Sequence, residues 1–127
     1  MSLDITPSIP VGRQIIQSYG DYKFKVSDVV YRNSILVFQN ETLEWPTASI
    51  NNLKGSSFSD VLKADPAIEI LLIGCGIRAT LIKADILADI KSAGIAFESM
   101  DTGAACRTFN VLMSEDRRVA AALIPVG

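Results

Sequence analysis

Histidine is absent from all 127 residues, which removes serine–histidine catalysis and imidazole-based zinc sites from consideration. Cysteine is scarce, with Cys75 and Cys106 the two in the chain. Two cysteines at this length do not make a disulfide scaffold, so a reducing compartment, the cytoplasm, is expected. Positive charge is also limited. The 12 Lys and Arg face 14 Asp and Glu, for a net charge of −2, and that leaves no basic footprint for nucleic acid. Long apolar runs are missing too. The run at residues 70–73 falls far below the roughly 20 residues of a membrane-spanning helix, so no transmembrane segment is expected. The first ten residues lack a basic start, a continuous apolar stretch and any arginine. Neither a secretory signal nor a transit peptide is expected there.

What is present describes a folded chain. Hydrophobic residues make up 49% and charged residues 20%, a balance that supports a core and argues against disorder. The length is that of one domain. Pro7 and Pro10 block helix and central strand, so residues 1–12 are expected as a flexible arm and residues 13–127 as a single α/β domain. No motif implies a metal, and no cofactor is expected.

Secondary structure follows from periodicity. Residues 15–19 read as a strand closed by Gly20 and Asp21, and Tyr22, Phe24 and Val26 alternate with Lys23 and Lys25 as a half-buried strand does. Further short strands at 29–31, 34–38 and 43–45 complete an antiparallel meander. Phe58, Val61 and Leu62 share a helical face that ends before Pro66. Residues 68–73 are almost uniformly apolar, the mark of a strand covered on both faces. Residues 83–93 carry an amphipathic stripe ending at Gly94. A buried strand at 95–100 and a helix from Asp101 or Thr102 to about Ser114 follow. A last strand at 118–124 is read as another edge. A mixed sheet with antiparallel N-terminal strands and a C-terminal βαβαβ portion is the predicted architecture, with a right-handed crossover between its parallel strands.

Two stretches could carry chemistry. Gly74-Cys75-Gly76 with Ala79 formally matches a dinucleotide fingerprint, with Glu98 as its acid. That site needs a helix starting at the glycines, whereas the helical stripe begins only near Lys83. A structural bend is the alternative. In the second stretch, Arg107 and Asn110 share a helix face opposite the apolar positions Ala105, Cys106, Phe109, Leu112 and Met113. In a parallel sheet, Gly74 and Asp101 open on one edge. Arg78, Arg107 and the backbone of Gly103 and Ala104 could then converge on an anion. The alternative is that Arg107 pairs with Asp101 or a terminal carbonyl and holds the turn. Candidate binding residues are therefore Gly74, Cys75, Gly76, Arg78, Asp101, Thr102, Gly103, Arg107 and Asn110. Cys106 falls on the buried face, where a core role is expected; Cys75 is expected to be the more accessible, and a redox pair between the two is open. Asp85, Asp89, Glu115 and Asp116 read as solvated acids.

The stretch Met100-Asp-Thr-Gly-Ala-Ala-Cys-Arg-Thr-Phe-Asn110, with Arg118-Val-Ala-Ala-Ala-Leu-Ile-Pro125 after it and Leu71-Leu72-Ile73-Gly74-Cys75-Gly76 before it, resembles a small α/β domain family. That family is typified by a methanogen protein of unknown function and includes the adipogenesis-associated domain protein and mitochondrial respiratory complex I assembly factor three. The resemblance covers about residues 10–125. It implies a three-layer fold around a central mixed sheet, no established enzymatic activity and no known cofactor. It also implies a protein partner, such as respiratory complex subunits or another assembly factor. Two departures stand out. The missing transit peptide suggests a bacterial member, and Cys75 stands where the family often has a small polar residue. The expected function is a non-catalytic binding module in complex I biogenesis. An anion-binding or redox-active protein using the crevice between 74–78 and 101–110 is the alternative, and a homo-oligomeric state is open.

Overall fold

In the computed structural model residues 12–127 are described; the arm expected at residues 1–12 lies outside them apart from Gly12. Strands β1 (Ile16–Gly20), β2 (Lys23–Val26) and β3 (Val29–Tyr31) form an antiparallel sheet in that order. Its two hairpins turn through paired left-handed residues, Asp21 and Tyr22 (φ 51° and 56°) and Ser27 and Asp28 (φ 45° and 70°). Such pairs give the twist that matches flanking strands. The first turn is thus centred one residue beyond the Gly20–Asp21 expected.

Strands β4 (Ile35–Val37) and β5 (Thr42–Glu44) come next. They are followed by two single 3-10 turns, helix α1 (Ser59–Lys63), strand β6 (Ile70–Gly74), helix α2 (Ala88–Ser92), strand β7 (Ala96–Met100), helix α3 (Thr102–Ser114) and strand β8 (Val119–Leu123). A five-stranded mixed sheet runs β5-β4-β8-β6-β7, with β6 parallel to both β7 and β8 and β4 antiparallel to β8.

Alternation along the central strands places the core. Leu36, Leu71, Ile73, Ala120 and Ala122 point to one face of this sheet, while Ile35, Val37, Leu72, Val119, Ala121 and Leu123 point to the other. The first face is covered by α1, α2, the 3-10 turns and the segment after β5, through Val61, Ile90, Phe58 and Trp45. The second is covered by α3 and the small sheet through Phe109, Met113, Phe24 and Val26. These are the three layers expected, in one α/β domain with a mixed central sheet.

Several details depart from the sequence reading. The N-terminal strands do not form one meander, because all of β4 is buried and only a sheet covered on both faces satisfies that. Strand β8 is central rather than an edge; its alanines leave room for α3 and the opposite layer to approach. Strand β7 is the edge, with Ala96, Phe97 and Glu98 exposed. Finally, the stripe at residues 83–93 is regular helix only at Ala88–Ser92. Ile82 and Leu87 are both fixed in the core, and the chain between them turns rather than coils. Leu62, expected inside, is 36% exposed.

Candidate functional site

The ends of β6, β7 and β8 meet the start of α3 in a closed hydrogen-bond network. Thr102 is fully buried. Its backbone N–H donates to Gly76 O at 2.8 Å, and its Oγ1 accepts from Gly76 N at 3.0 Å and donates to Ile124 O at 2.6 Å. Cys75 N donates to Met100 O at 2.8 Å, and Ile124 N donates to Gly74 O at 3.0 Å. Asp101, in extended conformation, caps α3 by accepting from Ala104 N at 2.8 Å. A carboxylate there satisfies a free N–H and faces the positive helix end.

Gly74 sits against this network without space for a side chain. A Cβ there would lie 2.9 Å from Leu123 Cδ2 and 3.1 Å from Thr102 Cα. Gly103 is close-packed differently, since its Cβ would meet Tyr19 Oη at 2.5 Å. The obstacle there is the end of a half-exposed side chain, which can move. Gly76, at φ 107°, takes the left-handed conformation that turns the chain out of β6.

The polar face of α3 is occupied by β1. Asn110 clasps the Ile16 peptide from both sides: its Oδ1 accepts from Ile16 N at 2.9 Å and its Nδ2 donates to Ile16 O at 2.8 Å. Arg107 Nη1 donates to Tyr19 Oη at 3.0 Å, so its partner is Tyr19 rather than the Asp101 carboxylate considered from the sequence. The sequence reading missed Tyr19, which lies 88 positions away. The one hint was Gly103, a residue without a side chain on the face where something must pack. Asn110→Ala is expected to lower stability by about 2 kcal/mol and to speed amide hydrogen exchange in β1 before that in β6. Equal acceleration in both strands would contradict a local clasp.

The structure thus brings together Gly74, Cys75, Gly76, Asp101, Thr102 and Gly103, and joins Arg107 and Asn110 to β1. Arg78 stands apart: it is exposed and forms no hydrogen bond or ion pair with a described residue.

Both cysteines are buried and free. Cys75 belongs with the α1–α2 face of the sheet and Cys106 with the α3 face, so the sheet separates them. Cys75 is 7% exposed, less accessible than expected. Burial pushes the Cys106 thiol up to about 12, with the nearby Arg107 charge opposing it and Asp101 reinforcing it. The folded state therefore keeps this proton while the unfolded chain loses it. Its stabilising contribution is full below the ordinary value of 9.0 and is lost as pH rises toward about 12, with a slope of about 1.4 kcal/mol per pH unit. Cys106→Ala should flatten that segment of the stability–pH curve. In the native protein Cys106 should resist iodoacetamide at pH 8. Rapid native alkylation would contradict its burial.

The family described as "Protein of unknown function (DUF498/DUF598)" matches residues 16–124. The chain is 37% identical over 111 residues to NADH dehydrogenase (ubiquinone) 1 alpha subcomplex assembly factor 3 of Danio rerio, covering 87% of this chain and 64% of that protein. A crystal structure from Bordetella parapertussis has a TM-score of 0.83 at 30% identity, covering 91% of this chain and 99% of its own. A solution structure from Bordetella pertussis, described as a Mth938-like domain, has a TM-score of 0.81 at 28% identity, with 98% and 92% covered. This chain belongs to the DUF498/DUF598, or Mth938-like, family, whose relatives include the complex I assembly factors.

Proposed function

We propose that the protein is a non-catalytic binding module that assists the biogenesis of respiratory complex I by holding a partner protein, in the cytoplasm of a bacterium. The observation that carries this reading is the use of the 101–110 segment. Thr102, Asp101, Arg107 and Asn110 spend their polar groups on Ile124, Ala104, Tyr19 and Ile16 of the same chain. Side chains engaged in this way hold elements together, which suits a rigid scaffold more than a reaction centre. The likeness to assembly factors of animals supports the partner class.

Anion binding in the crevice is the weaker reading. Asp101 already occupies the Ala104 N–H, and Arg107 is turned to Tyr19. The test is co-purification of the tagged protein from the organism that encodes it. Complex I subunits or assembly intermediates should be enriched over an unrelated tagged control. Their absence at native expression would overturn the reading.

A further inference from the structure

Strand β7 ends the five-stranded sheet, and among the described residues nothing pairs with its outer edge. Parallel pairing determines which of its backbone groups are free. Ala96 N donates to Glu69 O, and Met100 O accepts from Cys75 N. With Ala96 opposite Ile70 and Met100 opposite Gly74, the peptide groups of Ala96, Glu98 and Met100 face β6. Those of Phe97 and Ser99 therefore face outward, two N–H and two C=O groups in a row.

Edges of this kind are normally guarded. The opposite edge, β5, is three residues long and runs into Trp45 and Pro46. β7 has five residues, no proline and an unbroken register with β6. Phe97 on this strand is 38% exposed, and Ile77, leaving the sheet just after Gly76, is 79% exposed. Gly76 O accepts from Thr102 N, which puts that apolar exit beside the C-terminal end of β7.

Charge selects the occupant. A second copy paired antiparallel could use all four outward groups on both strands only with Phe97 opposite Ser99. That register sets Glu98 against Glu98, about 4.5 Å apart at Cα in a non-hydrogen-bonded pair, and like charges there are destabilising. Registers centred on Phe97 or Ser99 reach Ile95 or Asp101 instead. Ile95 N already donates to Ile90 O, and Asp101 O accepts from Ala105 N. A different chain has no such conflict. We propose that the β7 edge takes an extended segment of a partner protein as an added strand, one in which lysine or arginine alternates with apolar residues. The cation sits opposite Glu98 and an apolar side chain lies beside Phe97. Backbone pairing supplies affinity and the alternate side chains supply selectivity. This rests on the binding-module reading and names the surface that serves it.

The test uses two blocked octapeptides, one alternating valine with lysine and one alternating valine with glutamate, titrated into the full chain by amide NMR. The lysine peptide is expected to shift the Phe97 and Ser99 amides. Ser99→Pro removes an outward N–H without touching the β6 ladder and should weaken binding about tenfold. Glu98→Lys should reverse the preference between the peptides, and covers the case in which the proline variant folds poorly. The proposal is overturned by shifts confined to other elements, by equal affinity for both peptides, or by no binding up to millimolar peptide. Concentration-dependent dimerisation that protects Phe97 and Ser99 would assign the edge to a second copy and also overturn it. Failure of the surface and failure of the module reading separate cleanly. If wild type and both variants co-purify equally with complex I subunits, the surface is wrong and the module stands. If wild type does not co-purify, the module reading fails and the titration alone decides the edge.

Discussion

Thr102→Val lowers the unfolding free energy by about 3 kcal/mol, while Thr102→Ser costs about 1 kcal/mol. Valine matches threonine in shape but not in chemistry. It leaves Gly76 N–H and Ile124 C=O without the hydroxyl that pairs both. Ile124 is 6% exposed, so water is a poor substitute there, and an unpaired buried polar group costs about 1–3 kcal/mol. Serine keeps both hydrogen bonds and loses only a methyl group. For a domain of this size, 3 kcal/mol corresponds to a fall in Tm of about 10 °C. Urea titrations of the two variants check the ordering. Equal loss from Ser and Val would mean that packing, not the hydroxyl, carries Thr102.

Gly74→Ala is expected to cost about 3 kcal/mol as well, against a background in which alanine would ordinarily improve a strand by about 0.5–1 kcal/mol. The added Cβ would sit 2.9 Å from Leu123 Cδ2 and 3.1 Å from Thr102 Cα. The second neighbour decides the outcome. Leu123 is itself fully buried, and Thr102 Cα belongs to a helix start fixed by the Asp101 cap and the Thr102 hydrogen bonds. Relief therefore requires moving α3 away from β6 and β8, which opens the core around Ala105 and Phe109. Thermal unfolding of Gly74→Ala, with β8 amide exchange as a local readout, tests this. An unchanged Tm would show that α3 can shift at little cost.

These two positions also show how far the sequence could be read. The helix at Thr102–Ser114 was legible because its signals are local: an Asp cap, a small first turn and an apolar stripe through Ala105, Cys106, Phe109 and Met113. The Gly74-Cys75-Gly76 bend was legible for the same reason, and its adjacency to Asp101 followed from the rule that parallel strands open on one edge. The place of β8 was not legible. An alanine-rich strand fits a central or an edge position equally by pattern, and its central place is set by β4 and β6, each more than 40 residues away in sequence. Sequence leaves Arg107 between an anion and a pair within its own turn, because nothing near it marks Tyr19 as the partner. The apolar residues of β7 by themselves predict a buried strand. Its exposure follows from sheet order, which one-dimensional periodicity does not encode.

The nucleotide reading of Gly74-Cys75-Gly76 finds no helix where it would need one. Residues 75–83 are bends and irregular chain, turns follow at 84–87, and α2 begins only at Ala88. The glycines instead serve close packing and a chain reversal. Thr102, Asp101, Arg107 and Asn110 instead tie the sheet, α3 and β1 to one another.

Native-gel analysis of complex I in cells lacking this protein tests that account most directly. The account predicts a marked loss of assembled, NADH-oxidising complex I on deletion, accumulation of partial assemblies, and recovery when the wild-type chain is restored. Normal complex I abundance and activity in the deletion cells would contradict it.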